Sequence, residues 1–146
     1  MKKYIIIGVI LVALAIVGSC AEEEAAPAEE PTTPAEMEAA PNTYIDVSPA
    51  EAKALIDENP DLIIIDVSPH YDDGHLPGAV HYYLGDGSLD NAVPTLDKNA
   101  KYLVYCHVDS VAIQGAQKLI DAGFKTVYRL EGNYGGWVDA GYPVEM

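Results

Sequence analysis

Hydrophobic positions along the second two thirds of the chain fall into short continuous runs that alternate with amphipathic stretches. Tyr44, Ile45 and Val47 open a short strand over 44–47. Ser48-Pro49-Ala50-Glu51 follows, with Ser at the N-cap, Pro at the first helical position and Glu three residues after the cap. That is the pattern of a capping box, and it predicts a helix to about Glu58, stopped by Asn59-Pro60. Leu62-Ile63-Ile64-Ile65-Asp66 lacks polar alternation, which suits a strand covered on both faces of a parallel sheet. Residues 79–82 form a weaker strand, and 83–99, with Gly, Asp and Pro, predict loop with one short helix. Lys101-Tyr102-Leu103-Val104-Tyr105 is the next strand and ends directly at Cys106. Ala112, Ile113, Ala116, Leu119 and Ile120 make a helical stripe, which predicts a helix over 111–122 with Gly123 closing it. Residues 125–130 form a last strand, and Gly132, Gly135 and Gly136 mark a loop before a short helix around Trp137. Strands alternating with helices predict an α/β fold with a mostly parallel sheet and helices on its faces.

The first 43 residues read differently. Met1-Lys2-Lys3 is followed by an almost wholly apolar run over 5–17 and by Val17-Gly18-Ser19-Cys20. A charged start and a short apolar run fit a secretory signal peptide better than a stable span, which needs about twenty apolar residues. The tetrapeptide resembles the lipobox of prokaryotic lipoproteins, which implies a signal peptide over 1–19 and lipidation of Cys20. The other reading is an uncleaved anchor helix, and both place the domain at a membrane on its extracytoplasmic side, in the periplasm or at the cell surface. Residues 20–43, rich in Ala, Glu and Pro, have no aromatic or β-branched aliphatic residue, so they cannot bury enough apolar surface to order themselves. They read as a self-repelling tether to a single domain over 44–146. Acidic residues outnumber basic ones 23 to 8, giving a formal charge of −15. Such a chain is repelled by phosphate backbones, so nucleic acid is excluded as a partner.

With Cys20 lipidated, Cys106 has no partner in its own chain. It stands where a strand ends and a helix follows, the place at which open α/β sheets bind ligands. Between them lies an expected loop of about five residues, His107, Val108, Asp109, Ser110 and Val111. Its amides, with the positive end of the helix, suit an anion, and the same field favours a thiolate. A buried structural cysteine is the other reading of this residue. No Cys-x-x-Cys or His-x-x-x-His spacing points to a metal site.

Several segments, in chain order, resemble the rhodanese superfamily: Ile65-Asp66-Val67, Tyr71 to Ala79 with its Gly74-His75-Leu76-Pro77-Gly78-Ala79, Leu96-Asp97-Lys98, and Val104-Tyr105-Cys106. Ala122-Gly123-Phe124, Gly132, Trp137 and Ala140-Gly141-Tyr142-Pro143-Val144 continue it. The resemblance implies a three-layer sandwich with a five-stranded, mostly parallel sheet between helices. It also implies that Cys106 is a nucleophile that takes sulfane sulfur from a small donor as a persulfide and passes it to a thiophilic acceptor. No cofactor is implied. Partners are a small sulfur donor or acceptor, or a thiol-bearing protein, and the membrane through the lipid anchor. Residues 107–111 map onto the loop that cradles the donor anion, His75 onto a position that supports the fold, and Tyr134 and Trp137 onto walls near that loop.

Departures fall in the loop. Active members commonly show Cys-Arg-Ser-Gly-Asn-Arg-Ser; here the run is Cys106-His107-Val108-Asp109-Ser110-Val111-Ala112. Asp109 would either repel an anionic donor and raise the Cys106 pKa, or point into solvent, while a protonated His107 would offset its charge. Ser68 and His70 stand where the family often has Arg and Glu. Related phosphatases need an arginine at the position of Ala112, so phosphatase activity is excluded. Two functions remain: an extracytoplasmic sulfurtransferase or persulfide carrier working through Cys106, and a non-catalytic rhodanese module that binds a protein or small ligand.

Overall fold

The computed structural model describes residues 43–146. The expected signal peptide, Cys20 and all but the last residue of the tether lie outside the described residues. Five strands form one sheet: β1 (Ile45–Val47), β2 (Ile63–Asp66), β3 (Val80–His81), β4 (Lys101–Tyr105) and β5 (Thr126–Leu130). Their order is β1-β5-β4-β2-β3, and every neighbouring pair is parallel. Between them run α1 (Pro49–Glu58), α2 (Ser88–Ala92), α3 (Asp109–Asp121) and α4 (Asn133–Asp139), with 3-10 turns at Tyr71–Asp73 and Val93–Thr95. No helix among the described residues is long and apolar enough to cross a membrane.

Side chains of the central strand alternate between two cores, as a period of two requires. Tyr102, Val104 and Cys106 face one way, packed with Ile65, Val67, Val127 and the Ala112, Ala116, Leu119 and Ile120 stripe of α3. Leu103 and Tyr105 face the other way, with Ile64, Tyr128, Leu130, α1 residues Ala52 and Leu55, and Trp137 of α4. Both faces of the sheet are therefore dry, which accounts for the unbroken apolar run of β2.

Local chemistry sets the helix ends. At α1 the capping box is closed: Ser48 N–H donates to Glu51 Oε2 at 2.7 Å, and Glu51 N–H donates to Ser48 Oγ at 3.3 Å. At the end of α3, Gly123 takes φ +89°, and the N–H groups of Gly123 and Phe124 donate to the carbonyls of Ile120 and Leu119. This double return closes the helix and turns the chain into β5. Gly115 lets α3 approach the sheet, since a Cβ there would lie 3.1 Å from Val67 Cγ1 and 3.4 Å from Val104 Cγ1.

The start of α3 differs from the expected one. The helix begins at Asp109 rather than 111, so the expected five-residue loop shrinks to His107 and Val108. The apolar stripe registers only where the helix meets the sheet, and the first turn projects beyond it. An aspartate in that turn is stabilised by the helix dipole, which a hydrophobic pattern does not report.

Candidate active site

Strand β4 lies in the middle of the sheet and ends one residue before Cys106, so the sulfur stands at the carboxyl edge against the first turn of α3. Cys106 is a free cysteine and only 1% exposed. Burial pushes its thiol above the ordinary range, and the Asp66 carboxylate adds to the rise. The N–H groups of Val108 and His107 act in the opposite sense, favouring the thiolate. Ser110 and Asp109 belong to the first helical turn. The Val111 N–H is occupied by the Val108 carbonyl at 3.2 Å. The amides that act on the sulfur are therefore those of the two true loop residues.

Of the two orientations expected of it, Asp109 takes the outward one, its side chain 65% exposed, but it is anchored there rather than free. Its Oδ1 accepts from Arg129 Nη1 at 2.9 Å and from Asn133 Nδ2 at 2.6 Å. Arg129, 6% exposed, also donates through Nε to Asp46 Oδ1 at 2.6 Å. Asn133 completes the chain, its Oδ1 accepting from the Cys106 N–H at 3.3 Å. The charge of Asp109 is thus directed to the guanidinium, and the carboxylate that raises the Cys106 thiol is Asp66 instead. Asp66 is fully buried; its Oδ1 accepts from the Ser68 N–H at 2.7 Å, and its Oδ2 has no partner within the protein.

His107 was expected to help as a cation. Burial lowers its pKa, only partly opposed by the charge of Asp66, so it is neutral at pH 7. Its ring stacks on Tyr134 at 4.4 Å and meets the ring of His70 at 5.4 Å. His107 Nε2 is the second buried polar atom without a partner. Tyr134 therefore stands beside the loop, and its N–H donates to the Cys106 carbonyl at 3.0 Å. Trp137 does not: it is 1% exposed inside the α1-side core, with Nε1 donating to the Pro143 carbonyl at 2.8 Å. Positions 134 and 137 share one side of α4 and both pack on that core; Trp137 sits inside it, whereas Tyr134 is only partly buried and reaches the His107 ring.

Ser68 fills the position of a family arginine as a fully buried residue whose Oγ accepts from the His70 N–H. His75 ties down the C-terminal segment, exchanging backbone hydrogen bonds with Glu145 and stacking on Tyr71 at 3.8 Å. Among the described residues no cluster of His, Cys, Asp or Glu has the geometry of a metal site. A cleft of about 370 Å³ lined by Glu58, Asn59, Asp61 and Lys101 lies at the opposite, amino edge of the sheet, where there is no nucleophile.

Asn133, Arg129 and Asp46 were not legible as site residues. One signal was available for Asn133: it follows Gly132 in a Gly-rich turn, and asparagine tolerates the left-handed backbone it adopts at φ +55°.

The description "Rhodanese-like domain" matches residues 48–140 of the chain. A thiosulfate sulfurtransferase GlpE of Coxiella burnetii is 33% identical over 96 residues, covering 64% of this chain and 87% of that protein. A putative sulfurtransferase YtwF of Bacillus subtilis is 32% identical over 94 residues, covering 63% and 88%. Among solved structures, the Alr3790 protein of Anabaena sp. superposes with a TM-score of 0.62 at 29% identity, covering 68% of this chain and 80% of that one. A polysulfide-sulfur transferase homodimer of Wolinella succinogenes gives 0.59 at 29% identity, covering 70% and 78%. The five-stranded parallel sheet between helices agrees with this likeness, and the chain belongs to the rhodanese-like domain family.

Proposed function

We propose that this domain is a sulfurtransferase or persulfide carrier whose nucleophile is Cys106, held outside the cytoplasm by a lipid on Cys20. The observation that supports it most is the position of Cys106 at the carboxyl end of the central strand, with the Val108 and His107 amides acting on its sulfur. Relatives described as thiosulfate sulfurtransferase and as polysulfide-sulfur transferase support the same chemistry. In the first half-reaction the Cys106 thiolate attacks the outer sulfur of a donor. A sulfur–sulfur bond forms at Cys106 while the donor's own bond to that sulfur breaks, its electron pair leaving on the donor remnant. In the second, an acceptor thiolate attacks the outer sulfur of the persulfide, and the pair of the Cys106 sulfur–sulfur bond returns to Cys106. No external oxidant is consumed. The two loop amides and the end of the α3 dipole stabilise negative charge on sulfur in both states.

The test is turnover by the full chain with a sulfane donor and a thiol acceptor, read as released sulfide. We expect turnover from the wild type and none from Cys106→Ser. Turnover undiminished in that variant would refute the proposal. Near-complete burial of Cys106 and the commitment of Arg129 to two carboxylates favour a second reading, a binding module without catalysis. That reading predicts full biological function in Cys106→Ser. The anchoring half is tested separately: Cys20→Ala should move the protein from the membrane to the soluble extracytoplasmic fraction, and persistence at the membrane with no attached lipid would contradict it.

A further inference from the structure

Charge is divided between the two edges of the sheet. Lys98, Lys101 and Lys125 stand at the amino edge, where β4 and β5 begin. Lys53 is bound to Asp57 within α1, and Lys118 to Asp90 from the far end of α3. Arg129 is buried, and its guanidinium is held by Asp46 and Asp109. Among the described residues, the carboxyl edge is therefore left without a free Lys or Arg. Its connections supply the reverse charge: Asp72 and Asp73 follow β2, Asp86 follows β3, Asp109 opens α3 after β4, and Glu131 follows β5. All five are exposed. Inside that ring of carboxylates the surface is apolar and aromatic. Val108, two residues past Cys106, is 54% exposed. Next to it in the chain, the His107 ring lies 4.4 Å from Tyr134 and 5.4 Å from His70. Two buried atoms at the same edge have no partner within the protein: Oδ2 of Asp66, a fully buried residue that ends β2, and Nε2 of His107. A carboxylate oxygen left open at this place calls for a donor from outside the chain.

We propose that the carboxyl edge of the sheet is a docking face for a partner protein with a basic surface patch, its arginines and lysines set around an apolar side chain. The carboxylates at the ends of β2 to β5 meet the partner's cations. The apolar side chain covers Val108 and takes it out of water. Guanidinium groups stack on the His70, His107 and Tyr134 rings, which an ammonium does less well. Nucleic acid and anionic lipid carry the wrong charge for this face, whereas a basic protein is steered to it. The docked partner lies over the Cys106 loop. The surface goes beyond the sulfurtransferase reading, since it serves a module that only binds equally well.

The test measures binding of a fluorescent basic peptide, Arg-Leu-Lys-Leu-Arg with blocked ends, to the full chain in nonionic detergent by anisotropy at low salt. Its charge-reversed twin is Glu-Leu-Glu-Leu-Glu. Two triple variants remove the same charge from opposite edges and leave residues 20–43 unchanged, so charge elsewhere cancels. One is Asp72→Asn, Asp73→Asn and Glu131→Gln; the other is Glu58→Gln, Asp61→Asn and Asp97→Asn. All six residues are exposed, so the fold tolerates the changes. We expect the basic peptide to bind and the twin not to. The carboxyl-edge variant should weaken binding by roughly tenfold, and the amino-edge variant by less than about twofold. Val108→Ser should weaken it by roughly threefold through lost apolar contact. Equal weakening by the two triple variants would mean diffuse attraction to an acidic chain and would overturn the docking face. So would equal binding of the twin, no binding of the basic peptide, or an unchanged affinity in the carboxyl-edge variant. Sulfur addition to Cys106 is read separately, and its failure would leave these binding results standing.

Discussion

At the scale of single residues, the site is governed by two buried polar groups and one shared asparagine. Burial, with a smaller contribution from Asp66, holds the Cys106 thiol high, so the reactive fraction of sulfur grows with pH. Alkylation of Cys106 by iodoacetamide should have its midpoint above that of free cysteine, about 8.5. Asp66→Asn keeps an acceptor for the Ser68 N–H and should lower that midpoint; an unchanged midpoint would mean that the carboxylate does not act on the sulfur. His107 gives a pH effect of opposite origin. Its pKa is lowered below 6.5 on folding. Below 6.5 the unfolded chain therefore binds more protons at this residue than the folded one. Stability from His107 is intact above pH 6.5 and is lost as pH falls from there toward the depressed folded value. Urea unfolding at pH 7.5 and 5.5 should show a smaller loss in His107→Phe than in the wild type. Asn133 joins the Cys106 N–H to Asp109 in a left-handed backbone that glycine adopts freely. Asn133→Gly therefore removes the two hydrogen bonds without adding strain. It should cost about 1–2 kcal/mol of stability and slow sulfur addition to Cys106; an unaltered rate would show that the loop is held by other contacts.

At the scale of elements, the junction of β4 and α3 depends on how closely the helix can lie on the sheet. Gly115 faces Val67 and Val104, both fully buried, so a large side chain has nowhere to go. Gly115→Leu should destabilise by about 1–3 kcal/mol, measured by chemical denaturation, and disturb the Cys106 loop, even though leucine is the better helix former. An increase in stability would show that α3 moves freely over the sheet. The elements themselves were readable because their causes are local. The capping box of α1, the glycine closure of α3 and the period-two alternation of β4 are all written in neighbouring residues. The start of α3 was not, because an aspartate bound to Arg129 and Asn133 extends the helix for reasons that lie 20 and 24 positions away. For the same reason Cys106 could be placed at a strand end from the sequence, whereas the network behind it could not. Trp137 was misplaced because a resemblance in sequence order does not say how deeply each side chain on a helix face is buried: Trp137 is 1% exposed, while Tyr134 on the same side stays partly open.

At the scale of the whole molecule, a strongly acidic domain carries its nucleophile at the end of the central strand, with its single arginine turned inward. Over residues 43–146, 6 Lys and Arg stand against 16 acidic residues, so the field around the domain repels anions. Sulfur chemistry in such a molecule rests on two backbone amides and a helix end, with no side-chain cation to assist. The most direct measurement is the mass of the Cys106 peptide after the full chain meets 2-mercaptoethanol persulfide. A gain of one sulfur atom on that peptide alone, reversed when excess thiol is added, is the predicted result. An unchanged Cys106 peptide, or sulfur found only elsewhere in the chain, would contradict it.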